Sequence, residues 1–289
     1  MTKIPALFDL TGRVAVVTGG AGLLGGEFCR TLREAGARVV IADIDVAAAQ
    51  ELAASLANKS DESRRVLPVH TDISSKESVE SLVAGTLSEF QSLDIWVNCA
   101  ALDPKFDLQQ GFSPEAGEHL KESPTPLNVE FEYFPLDAWN QALAVNLTGM
   151  FLCCQAAGKQ MLKQGRGVII NISSIYGLGG PDQRIYQQGD QPARYKPAYY
   201  SVTKAGVIGL TSYLAAYYAG KGIRVNALTP GGVYTDHDEV FLQAYRARTM
   251  LGRMAERNEM NGALLFLASD ASSYMTGGNL VVDGGWTAW

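Results

Sequence analysis

Short, almost wholly apolar runs recur along the chain, and the segments after them carry apolar residues at helical spacing. Val14–Thr18, Arg38–Ala42, Val66–His70, Ile95–Asn98, Gly167–Ile172, Ile223–Leu228 and Leu280–Val282 have the length and β-branched content of strands. Helices are predicted from the glycine-rich turn after the first run to about Ala35, and over Ala47–Ala57. Strands with one wet face alternate polar and apolar residues; these runs do not, so both faces must be covered. The pattern predicts an α/β fold. It is a single-domain, Rossmann-like, doubly wound parallel sheet with helices on both faces, spanning residues 1–289.

Two stretches break the alternation: Leu102–Pro135, and the polar, aromatic Pro181–Pro197. Each follows the carboxyl end of a predicted strand, where ligand-facing loops lie in such sheets, so both are expected to be substrate lids. Subunit contacts are the alternative. The second stretch offers Gln183, Arg184, Tyr186, Gln187, Arg194 and Lys196. Such a set suits a polyhydroxylated substrate, with arginines able to grip a carboxylate or phosphate; charges that merely solvate a loop are the plainer reading.

Composition narrows the function. Hydrophobic residues make up 47% and charged residues 19%, as in ordinary folded soluble proteins. The net charge is −6 and the longest basic run is Arg64-Arg65, which argues against nucleic acid or an anionic membrane as partner. Cys29, Cys99, Cys153 and Cys154 lack metal spacing, and the adjacent pair reads as a buried helix face. No metal pattern involves His70, His119 or His237 either. No stretch reads as a signal peptide or a membrane span, so a soluble, cytoplasmic protein with reduced thiols is expected.

The chemistry begins at TGGAGLLG, residues 18–25, between the first strand and its helix. Gly19, Gly22 and Gly25 let the backbone turn sharply and approach a pyrophosphate whose charge sits against the helix N-terminus. Asp43 closes the second strand 18 residues beyond Gly25. A carboxylate there accepts hydrogen bonds from an adenosine ribose and repels a 2′-phosphate, and no Arg or Lys follows it directly, so NAD is the expected cofactor. Asp45 reads as a turn residue.

Tyr200 and Lys204 are four residues apart, on one face of a helix. An ammonium near a phenol favours the phenolate, which lowers the phenol's pKa from about 10 toward the working range and suits a general acid/base. Tyr217 and Lys221 share the spacing, but there the lysine reads as a helix C-terminal charge. Tyr199 is expected to face elsewhere.

These motifs resemble the short-chain dehydrogenase/reductase family in its compact branch. The likeness extends through Asp72, NCAA at 98–101, NLTG at 146–149, INISS at 170–174, YSVTK at 200–204, IRVNALTPGGVYT at 223–235 and VVDGGW at 281–286. The resemblance implies that Asn146, Ser174, Tyr200 and Lys204 form the catalytic set. Asn146 would keep a helix open for a water in the proton relay, and Ser174 would hydrogen-bond the substrate oxygen, with Ser173 packing. Asp72 would meet the adenine, and Asn98 and Ala100 would support the adenosine side. Lys204 would hold the nicotinamide ribose, and Val233 and Thr235, after Pro230-Gly231, the carboxamide. Leu24 and Ile73 would complete the cofactor wall, and Arg184, Tyr186, Arg194 and His237 are candidate substrate contacts. Helices Asn146–Met161 and Tyr200–Tyr218 would be partly buried in a homo-tetramer or homo-dimer.

Three features depart from the family pattern. Leu23 stands where the compact branch has its middle glycine, Ala101 replaces the glycine of NNAG, and Ser174 lies 26 residues before Tyr200, about twice the usual gap. The 181–197 insertion accounts for the last. The reaction implied is NAD-dependent interconversion of a secondary alcohol and a ketone. The finer likeness is to bacterial gluconate 5-dehydrogenase-like and surface-sugar biosynthesis oxidoreductases, which points to a sugar-derived or polyol substrate. A sugar-nucleotide epimerase or dehydratase with transient NAD reduction, or a non-catalytic NAD-binding sensor, are the alternatives.

Overall fold

A computed structural model of the chain describes residues 3–57, 66–103, 129–187 and 193–289. Each apolar run becomes a strand: β1 Val14–Thr18, β2 Arg38–Asp43, β3 Val66–His70, β4 Ile95–Asn98, β5 Gly167–Ile172, β6 Ile223–Pro230 and β7 Asn279–Val282. All pair in parallel, in the order β3-β2-β1-β4-β5-β6-β7. The order reverses at β1, which lies between β2 and β4. Chains leaving β1 and β4 therefore diverge and open a crevice at the carboxyl edge. β6 runs past the predicted Leu228 because Leu228, Thr229 and Pro230 continue to pair with Leu280, Val281 and Val282.

Helices α1 Ile4–Leu7, α2 Leu23–Glu34, α3 Val46–Leu56, α4 Lys76–Phe90, α5 Leu136–Leu143, α6 Met150–Gln164, α7 Ala198–Tyr217, α8 Glu239–Arg246 and α9 Asn261–Ala268 surround the sheet. The strand pleat divides the core. Val14, Val16, Val40, Trp96, Ile169 and Val225 face the layer that includes α4, α6 and α7. Their neighbours Ala15, Val17, Val39, Ile41, Ile95, Val97 and Ile170 face α2, α3 and α9. At about 1.5–3 kcal/mol per buried large apolar side chain, this two-sided burial explains the uninterrupted apolar runs. Cys153 and Cys154 lie on the buried face of α6, as expected. Asp45 does more than turn the chain: its carboxylate caps α3 by accepting from Ala48 N at 3.0 Å.

Residues 104–128 and 188–192, within the two expected lids, lie outside the described residues. The described part of the second stretch is packed and pinned. Ile185 and Tyr186 are buried, and the Asp182 carboxylate receives both Arg184 and Arg248.

Candidate active site

The glycine turn forms a cradle at the carboxyl end of β1. Gly19 has φ +62°, and a Cβ on it would lie 2.6 Å from Ala100 Cα; a Cβ on Gly25 would lie 2.0 Å from the Gly19 carbonyl oxygen. Only glycine fits either position. Gly22 is the exposed glycine and N-cap of α2, with no side chain to cap the helix. The first-turn N–H groups of α2 thus lie beneath a bare backbone, which fits a pyrophosphate. Leu23, the departure from the family spacing, enters as the first residue of α2. Leu24 behind it packs on the core.

Asp43 leans over this turn. One carboxylate oxygen accepts from Ala21 N at 2.9 Å and the other from Asp45 N at 3.0 Å. Burial raises its pKa and these backbone bonds oppose the rise. Asp72 holds the loop after β3 by accepting from Ser74 N (2.8 Å) and Ser74 Oγ (2.6 Å). Ile73 packs against Gly149, where a Cβ would be only 3.0 Å from its side chain. Asn98 departs from expectation. Its Oδ1 accepts from Trp96 Nε1, and its Nδ2 donates to Asn171 Oδ1 and Cys154 Sγ. That side chain ties β4 to β5 inside the protein, because the pleat turns it inward; it does not face the cofactor cradle. Ala100 meets the cradle through its backbone, its N–H directed at Thr18 Oγ1.

The four candidate catalytic residues converge beside this cradle. Tyr200 and Lys204 share one face of α7 and both are buried. Lys204 Nζ donates to the Ile172 carbonyl at 3.0 Å and stands 5.7 Å from the centre of the Tyr200 ring. The Ser174 hydroxyl hydrogen-bonds the Tyr200 phenol and accepts from Tyr176 N at 3.2 Å. Ser173 donates instead to the Lys204 carbonyl, as a packing residue would. Asn146 lies in a π-helical widening, Ala144–Gly149, between α5 and α6. Its Oδ1 accepts from Leu102 N at 2.6 Å and its Nδ2 donates to Leu102 O at 3.0 Å.

The expected depression of the Tyr200 pKa does not occur. Burial pushes the phenol well above its ordinary value, and the Asp103 carboxylate pushes it the same way; the Ser174 hydrogen bond pulls it down. Burial also lowers the Lys204 pKa. The same desolvation that gathers the pair disfavours both charges.

Comparison with known proteins decides the family. A family model described as Enoyl-(Acyl carrier protein) reductase matches residues 21–287. The cis-4-hydroxycyclohexanecarboxylate dehydrogenase of Sinomonas cyclohexanicum is 37% identical over 96% of this chain and 97% of its own. The chain belongs to the short-chain dehydrogenase/reductase family. D-threitol dehydrogenase of Mycolicibacterium smegmatis is 32% identical over 97% of this chain and 95% of its own. A gluconate 5-dehydrogenase structure from Burkholderia cenocepacia, in complex with NADP and tartrate, superposes with a TM-score of 0.79 at 30% identity, covering 99% of this chain and 100% of that one. As a short-chain dehydrogenase/reductase, the protein is an oxidoreductase acting on CH–OH groups, with a nicotinamide cofactor.

Beyond the candidate catalytic residues lie the 230–237 loop and the described parts of the 181–197 insertion. Gly231 N donates to Val282 O, and Gly232 N to Tyr245 Oη at 2.5 Å, which holds the loop after Pro230 down. Val233 bridges to Ala255. His237 Nδ1 accepts from Thr235 N at 3.2 Å, so its Nε2 carries the proton, and the ring stacks on Phe241 at 5.0 Å. Burial lowers its pKa.

Two of the expected substrate contacts, Arg184 and Tyr186, are otherwise engaged. The Arg184 guanidinium forks onto Asp182 at 2.7 and 2.8 Å, and its side chain is 84% exposed. Tyr186 is buried and donates its hydroxyl to Tyr176 Oη at 2.7 Å. Arg194 supplies its carbonyl to Gln187 Nε2. Arg184 and Tyr186 thus serve the shape of the insertion, through Asp182 and Tyr176. Sequence reasoning missed Asp103 and the wall of Tyr176, Tyr245 and Trp286. Tyr176 meets both Tyr200 and Trp286 edge-on, and Trp286 stacks on Tyr245 at 4.6 Å. Trp286 lay within the quoted VVDGGW motif and Tyr176 two residues beyond INISS, but nothing in the motifs indicated that they meet.

Proposed function

We propose that this protein is an NAD(H)-dependent dehydrogenase interconverting a secondary alcohol and a ketone on a small polyhydroxylated substrate, in one domain. The reading rests on one juxtaposition: a buried phenol, hydrogen-bonded by Ser174 and shared with Lys204 on one helix face, beside a glycine cradle. The Tyr200 oxygen takes the proton of the substrate hydroxyl in oxidation and returns it in reduction. Ser174 holds the substrate oxygen within reach of that phenol. Lys204, bonded to Ile172 O, would also meet the nicotinamide ribose. Asn146 holds the Leu102 backbone beside the opened helix, where a relay water would fit. When bound, the cofactor supplies the hydride acceptor and a positive ring beside the phenol.

Asp43 supports NAD over NADP. A 2′-phosphate would approach a carboxylate already held over the turn, with neither Ile44 nor Asp45 able to neutralise it. Polyols are favoured by the D-threitol dehydrogenase likeness and by the polar groups around Tyr200. The exposed Phe151, Tyr213 and Tyr217 on α6 and α7 would be covered by a second copy of the chain, in a dimer or tetramer. The free cysteines accord with a cytoplasmic setting.

The experiment is an alcohol panel with NAD+ and with NADP+, following reduced cofactor and product together. The expected result is one NADH per ketone, with NAD+ preferred. An isomerised product with no net NADH would overturn the reading in favour of an epimerase.

A further inference from the structure

Lys196 is a charged residue only 8% exposed, two residues before the start of α7. Its Nζ lies 4.3 Å from the centre of the Tyr200 ring, nearer than Lys204, and ion-pairs with the Asp103 carboxylate. The partners are 93 residues apart, and each is delivered by a two-bond clamp on the backbone. Gln183 Oε1 accepts from Lys196 N at 2.8 Å while its Nε2 donates to Lys196 O at 3.0 Å. Gln187 in turn donates to the carbonyls of Gln183 and Arg194. On the other side, Asn146 grips both backbone groups of Leu102, the residue before Asp103. The described part of the insertion is thus a bracket, anchored through Asp182 to Arg248, that sets an ammonium on the face of the reacting phenol.

We infer that the Lys196–Asp103 pair is the specificity-determining element of the site and selects a neutral polyol: a hydroxyl next to the reacting carbinol donates to Asp103 and accepts from Lys196. This deepens the proposed dehydrogenase reading and rests on it. Among the described residues, the pair has unused capacity. The Asp103 side chain is 48% exposed, and its second oxygen has no hydrogen-bond partner among the described residues. An ammonium has three donors, of which Asp103 takes one. Its charges cancel, so a neutral diol satisfies both partners, whereas a carboxylate substrate would bring a second anion against Asp103. His237, within the field of both charges, stands on the same wall.

The test compares three substrates on one carbon skeleton: a neutral polyol, the monoalcohol and the aldonic acid. For four carbons these are threitol, 2-butanol and threonate; the skeleton is the best one from the alcohol panel. Lys196→Met and Asp103→Asn are each expected to cut the polyol-to-monoalcohol ratio of kcat/KM by about ten- to a hundredfold, chiefly through KM, as loss of a charged hydrogen bond does. Lys196→Arg should restore most of it, and Asp103→Asn should improve relative turnover of the acid. NADH affinity, measured by fluorescence, reports that each variant is folded. Should Lys196→Met not fold, Gln183→Leu removes the clamp and keeps both charges; it should lower the same ratio. A ratio unchanged in the variants, or equal losses on polyol and monoalcohol, would overturn the inference. A wild-type protein that oxidises no alcohol would instead overturn the dehydrogenase reading beneath it.

Discussion

Two carboxylates at opposite edges of the sheet meet cations in opposite ways. Asp94, at the amino edge, is 2% exposed and fully engaged. One of its oxygens accepts from Val14 N and Ser92 Oγ, each at 2.9 Å, and the other is gripped by Arg166 at 2.9 and 3.0 Å. Asp103, at the carboxyl edge, is half-exposed, and its described hydrogen bond is to Lys196. The first arrangement has no room for a further ligand; the second has. A saturated carboxylate belongs to the architecture, and one held in place with open lone pairs belongs to recognition.

This contrast can be broken by mutation. Asp94→Ala should destabilise the fold by about 2 kcal/mol, since it strips a buried N–H and an arginine of their acceptor. Urea denaturation would read that loss, while substrate selectivity stays unchanged. Asp103→Asn should chiefly move selectivity, with a smaller loss of stability because the amide oxygen still accepts from the buried Lys196 ammonium. Asp43 is the intermediate case, bonded to two backbone N–H groups yet facing the cradle. Asp43→Ser should shrink the NAD-to-NADP preference in kcat/KM by about tenfold or more, since it removes the repulsion of a 2′-phosphate.

The smallest effect is on pH dependence. The Asp103 carboxylate raises the Tyr200 pKa because a nearby anion disfavours the phenolate. Removing that charge in Asp103→Asn lowers the phenol's pKa. The rising limb of the oxidation rate should therefore move to lower pH. A limb that stays fixed would place Asp103 outside the phenol's field.

What was legible in the sequence follows from the range of the interactions. Strands buried on both faces announce themselves as unbroken apolar runs, and pairing with a neighbour lengthened β2 by Asp43, β6 by Thr229 and Pro230, and β7 by Asn279. Gly19 and Gly25 were legible because close backbone approach within a few residues admits no side chain. Tyr200 and Lys204 were legible because a helix fixes their spacing. Asn98 misled because its motif position says nothing of the pleat that turns it toward Asn171. Arg184 misled because Asp182, two residues away, takes its fork. The Asp103–Lys196 pair was hidden by sequence distance, since only the folded insertion brings the partners together. The pKa of Tyr200 was misjudged because local spacing reveals the neighbouring ammonium but not the burial around both.

The most direct test of the account is the turnover of Tyr200→Phe with the best alcohol from the panel, measured beside its affinity for NADH. Losing the proton-accepting hydroxyl should lower kcat by about a thousandfold, within the span usual for a general acid/base, while NADH binds nearly as before. Turnover close to that of the unaltered enzyme would contradict the assignment of the phenol as the proton acceptor.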